Sequence, residues 1–309
     1  VGPYNFPFRL SGDPMRKYVW LLLLTSCSSG PEPDVASPYP YGRYLGALDL
    51  VDQRGADPVR ELLRLLNDPE PLVRSGAVVA LGRKGDPEFA QHLIPLLSNE
   101  KEPSGLVRSD VCIALGRLKN VDAIDPLGEA LRLDPDPVVR REAARAGIHF
   151  RKNARMVLFL VRALMDPDAS VSWRAEISLD VKGSLPSDRI EQILSGKQDP
   201  DAVVRAGVAE ALALTGRSDL AGRILPVEDP SVKVRRQICL SLGRLKNPSS
   251  VKPLIDVVKT DSDVTVRAAA LRGLSYYEKS EAILEVLLDA LDDKSPLVAA
   301  QSEQTLILM

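Results

Sequence analysis

Few side chains in this chain can do chemistry, and one of them stands in a setting that points to a reaction. Cys27 follows Met15-Arg16-Lys17, the apolar run Tyr18 to Leu24, and then Thr25-Ser26. A short basic stretch, an apolar stretch and small residues are the parts of an export signal. A thiol placed at the end of such a signal is the nucleophile for thioether formation, so the chemistry it points to is acylation rather than catalysis. The remaining candidates are Cys112, Cys239, His92 and His149. They are scattered, with no C-x-x-C pair, no histidine cluster and no Ser/His/Asp set that would mark a metallohydrolase or a triad hydrolase. Catalytic residues: none; metal ligands: none; cofactors: none is therefore the expectation.

Leu24-Thr25-Ser26-Cys27 resembles the bacterial lipobox. That resemblance implies a diacylglyceryl group on Cys27, cleavage before it, and a mature chain held at a membrane by several acyl chains. Residues 15–26 are then a lipoprotein signal peptide, and 1–14, which precede Met15, an upstream extension ahead of the native start. The apolar run is far shorter than the ~20 residues a membrane-spanning helix needs. Residues 27–42 are rich in proline, serine and glycine and read as a tether of at most about 50 Å. Ser28 after the cysteine, where aspartate resembles an inner-membrane retention signal, favours the outer membrane, with the protein lipid-anchored in the cell envelope and facing the periplasm.

The elements carried by that tether announce themselves by a repeating frame. Arg74, Arg108, Arg140, Arg174, Arg205, Arg235 and Arg267 follow one another at steps of 34, 32, 34, 31, 30 and 32 residues. Six residues before each stands an acid: Asp68, Glu102, Asp134, Asp168, Asp199, Asp229 and Asp261. Just before each arginine is Val73, Val107, Val139, Trp173, Val204, Val234 or Val266, and six and seven residues after it a pair such as Ala80-Leu81, Ala114-Leu115 or Ser241-Leu242. An eighth copy keeps Asp293, Val298 and Thr305-Leu306 but has Ala299 for the arginine. A fixed step of this length marks a helical-repeat solenoid. Asp-Pro ahead of an apolar run reads as a helix N-cap, and Gly82, Gly116 and Gly243 with their basic neighbours as helix ends. A second helix follows in each copy, as in Leu254, Ile255, Val257 and Val258, so one repeat is a hairpin that must stack on its neighbours to bury both faces.

The recurring D-P-x-x-x-V-R-x-x-A-x-x-A-L, followed by G-x-x-x-x-x-A-I-x-P-L, resembles the HEAT family, in its short bacterial form called the PBS-lyase HEAT-like repeat. The resemblance covers roughly residues 41 to 309. It implies an all-α fold, a right-handed α-solenoid or superhelix of about eight stacked hairpins, with 43–67 as N-terminal cap, 68–292 as repeats and 293–309 as C-terminal cap. It also implies that the acids and arginines form a structural ladder between repeats. Cys112 and Cys239 stand four residues after their arginines in repeats four apart, about 40 Å at ~10 Å per repeat, beyond reach of a disulfide.

Repeat four looks irregular. Trp173 stands for valine, Asp180 for the small residue of the helix crossing, and Lys182 lies in a lengthened turn, so Trp173, Asp180 and Lys182 are a candidate partner patch. Basic residues at first-helix ends, Arg83, Lys84, Arg117, Lys119, Arg151, Lys152, Lys182, Arg217, Arg244, Lys246 and Arg272, should form an edge, with aspartates at the opposite turns. The net charge of −2 becomes −4 once Arg9, Arg16, Lys17 and Asp13 leave with the signal, and no basic domain for nucleic acid appears. With 45% hydrophobic, 27% charged and 5% aromatic residues, the composition suits a soluble helical protein. The function expected is a non-enzymatic scaffold or adaptor, a monomer that binds a protein partner. The alternatives are a lyase-like enzyme or cofactor-handling accessory, and a binder of envelope polymer or lipid.

Overall fold

The computed structural model describes residues 33–180, 187–225 and 227–309, and within them every regular element is helical. Cys27, Lys182 and the segment read as a signal peptide lie outside the described residues. The chain is an all-α solenoid, and contacts divide it into a unit ending at Ala77 and a unit from Val78 onward.

In the first unit, Pro40–Asp49 and Ala56–Leu65 precede the start of Pro71–Lys84. The fork of Arg43 closes on Asp68, with Nε to Oδ2 at 2.8 Å and Nη2 to Oδ1 at 3.0 Å, while Nη1 donates to the Ser37 carbonyl at 3.0 Å. The segment expected to be only a cap thus carries its own copy of the frame.

In the second unit, first helices Gly105–Leu118, Pro137–Ala146, Ala169–Leu179, Ala202–Leu214, Val232–Leu245, Val264–Leu274 and Pro296–Leu308 alternate with second helices. The second helices are regular at Ile124–Leu133, Ala154–Ala163, Ser187–Leu194, Val251–Thr260 and Glu281–Leu291, and shrink to single turns at Ala90–Leu93 and Ala221–Ile224. Each first helix begins three residues after its frame acid, not at it. The acid folds an Asx turn, Asp134 Oδ1 accepting from the Asp136 amide at 2.9 Å, and Asp136 then caps the helix by accepting from Val138 at 2.9 Å. Asp201 and Asp263 repeat the capping role.

The glycines expected at helix ends sit inside the helices instead. A Cβ on Gly82 would collide with Ala114, one on Gly116 would crowd Ala146, and one on Gly243 would strike the Gly273 backbone. Gly82, Gly116 and Gly243 therefore set the close crossing of successive first helices, and the true ends are the left-handed residues Gly85, Lys119, Gly216 and Lys246.

Candidate functional site

The frame arginines hold one geometry. Arg108 places Nε 2.7 Å and Nη2 3.0 Å from the Asp134 carboxylate of the next repeat, while Nη1 bonds the Glu102 carbonyl of its own repeat at 2.8 Å. Arg205 with Asp229, Arg235 with Asp261 and Arg267 with Asp293 copy it. Each guanidinium ties two repeats with a bidentate, charge-assisted fork. Asp229, Asp261 and Asp293 are held below the usual carboxylate range, first by the hydrogen bonds from their arginines. These groups are committed to one another, and so are the capping aspartates.

Repeat four departs from this, and not in the way the sequence frame expects. Arg140 forks onto Asp166 at 2.9 and 3.0 Å, while Asp168 is the N-cap of Ala169–Leu179, accepting from the Ser170 amide at 2.9 Å. The frame in this copy starts at Asp166, two residues earlier than the Asp168 to Arg174 spacing suggests. Buried Val171 then holds the valine position, and buried Ser178 with Leu179 forms the small-then-large pair. Ser172 stands where the arginine belongs. Asp180 is not at the crossing but is the left-handed residue closing the helix, paired with Arg151 at 3.2 Å.

The missing arginine has a structural counterpart. On the side that faces the preceding repeats, first helix Ala202–Leu214 packs on Ala154–Ala163, a second helix two repeats back, rather than on Ala169–Leu179. The contact is intimate because Gly207 meets the Val161 carbonyl with no side chain between. Arg162 Nε reaches the capping carboxylate of Asp201 at 2.9 Å, so a different arginine ties repeat five down.

What the displaced helix leaves, among the described residues, is a face of Ala169–Leu179 that the next first helix does not cover. Ala169, Trp173 and Ile177 recur every four residues along it and are all exposed, Trp173 at 55% and Ile177 at 39%. The position of Trp173 in the corrected frame is held by Ser75, Ser109, Ala206 and Ala268, all buried, in four repeats and by the solvent-facing Arg141 and Arg236 in two others. Arg174 lays its guanidinium over the Trp173 ring, 5.0 Å from the centroid, and its buried Nε finds no hydrogen-bond acceptor among the described residues. Of the residues proposed from sequence, Trp173 belongs to this face and Asp180 closes the helix that bears it. Arg174, expected in the ladder, does not take the ladder position, which Ser172 holds, and Ile177 was not singled out because its position is apolar in other repeats too, as at Val79, Ile113 and Leu240.

The expected basic edge is partly neutralised. Arg244 turns inward to a fork on Glu210, which also accepts from Gln237, and Arg217 pairs with Asp219 at 2.7 Å. Arg117 stays beside Arg83 and Arg145, its pKa lowered by burial and by those two cations. His149 is held below the usual imidazole range by burial, Lys119 and Arg145, and His92 is exposed. Cys112 and Cys239 are buried free thiols, burial pushing Cys239 up to about 12. Where the second helix of repeat five is reduced to Ala221–Ile224, a cavity of about 470 Å³ opens, lined by Val208, Ile224, Val234 and Ile238 together with Lys197.

The family model described as HEAT repeats matches residues 35–104, 100–180 and 223–307. The interval it leaves out, 181–222, contains the displaced helix of repeat five. No curated protein matches the chain. Among solved structures, the karyopherin Kap121p mutant D353K/E396K/D438K is similar at 14% identity and TM-score 0.58, over 97% of this chain and 38% of that one. Human deoxyhypusine hydroxylase is similar at 19% identity over 89% and 92%, with a TM-score of 0.36. The CpcE and CpcF complex of phycocyanin lyase from Nostoc sp. PCC7120 is similar at 18% over 77% and 94%, with a TM-score of 0.35. At these identities the likeness is one of fold.

Proposed function

The chain belongs to the HEAT-repeat family, and from that premise we propose that it is a non-enzymatic scaffold that captures another protein on the open face of repeat four. One observation carries the reading. A tryptophan occupies a position that is small and buried in four other repeats, and it stands 55% exposed with the Arg174 guanidinium over its ring. Exposed aromatic and arginine side chains on a rigid helix are what interface anchors are made of. The ladder residues are spent on architecture, which leaves this face as the local difference that a specific partner needs.

A photo-crosslinking amino acid at position 177, introduced in cells, should yield one adduct of defined mass that disappears when Trp173→Ala is added. The same group at Val121, which is exposed on a distant turn, should give none. Equal capture from both positions would sink the proposal.

We further propose that the scaffold works in a bacterial cell envelope, anchored at Cys27 to the outer membrane. The support is the Leu24-Thr25-Ser26-Cys27 sequence behind its basic and apolar stretches. Wild-type protein should take up an alkyne-tagged fatty acid and sediment with membranes, while Cys27→Ser should do neither. A Cys27→Ser protein that still pellets with membranes would remove the anchor from the reading.

A further inference from the structure

We draw no further inference here: the strongest candidate, the cluster of Arg83, Arg117 and Arg145 in the last turns of three successive first helices, is answered by Asp110, by Glu142, which pairs with Arg145 at 3.4 Å, and by the helix C-termini that bear it, so its charge selects no ligand.

Discussion

Arg108→Ala is expected to lower the stability of the second unit by about 3–5 kcal/mol, a large loss for one side chain. Arg108 and Asp134 are both 2% exposed, so the deletion leaves a carboxylate buried without its counter-charge. It also removes the donor shared by the Glu102 and Pro103 carbonyls, 2.8 and 3.0 Å away. Leaving buried acceptors unmade costs more than a typical hydrogen bond contributes. Arg267→Ala should cost less, because Arg267 and Asp293 retain 15% and 19% exposure and solvent takes over part of the screening. Arg60→Ala, which breaks an exposed pair with Asp57, should be close to neutral. Denaturant unfolding of the three variants gives the order, and an Arg108→Ala protein within 1 kcal/mol of wild type would strip the ladder of its structural role. In a stack whose repeats touch mainly their neighbours, such a loss also loosens coupling across that one interface.

The same rungs set an acid limit. Asp229, Asp261 and Asp293 have folded pKa values below their unfolded ones, owing first to the arginine hydrogen bonds. A lowered folded value means that the unfolded chain takes up protons more readily. The contribution is therefore fully present above the unfolded carboxylate value of about 3.9 and is lost as pH falls below it, through the folded values. Thermal midpoints should be flat with respect to these groups above about pH 5 and drop steeply below about pH 4, with Asp261→Asn flattening part of that drop. A profile that Asp261→Asn leaves unaltered would mean that the rung is not what titrates.

The ladder was legible in the sequence because its physical demand is the same in each copy: an arginine, and an acid one repeat on. The copy at Arg43 was not, because the bond to its own repeat is made with the Ser37 carbonyl, which no side chain reports. An acid is needed six residues before an arginine only where a preceding arginine must be met. Repeat four was misread for a related reason. Asp166-Pro167-Asp168 offers two acids, and Arg174 lies at a tempting distance from the second. The pair Ser178-Leu179, equivalent to Ser241-Leu242, fixes the right register once serine is accepted as the small member. The displaced helix was beyond reach of any local pattern, since what holds it is a glycine meeting a carbonyl some 46 positions earlier, Gly207 against Val161.

That glycine gives the second large effect. Alanine in place of Gly207 adds one methyl group, and helix propensity alone makes the change favourable by about 1 kcal/mol. Packing reverses the sign. The new Cβ falls on the Val161 carbonyl, which is backbone of Ala154–Ala163 and has no rotamer by which to retreat. The two helices must part, and overpacking of this kind costs about 1–3 kcal/mol for one methyl group, more for the valine variant. Parting them also stretches the Arg162 to Asp201 bond, now 2.9 Å. Gly222→Ala is the matched control, because Gly222 lies in Ala221–Ile224 with nothing within 4 Å of its added Cβ. There the propensity gain should survive, at up to about 1 kcal/mol. Opposite signs for the two substitutions in denaturant unfolding are the expected result. If Gly207→Ala stabilised the protein as Gly222→Ala does, the helix of repeat five would not rest on Ala154–Ala163, and the face around Trp173 would have a cover after all.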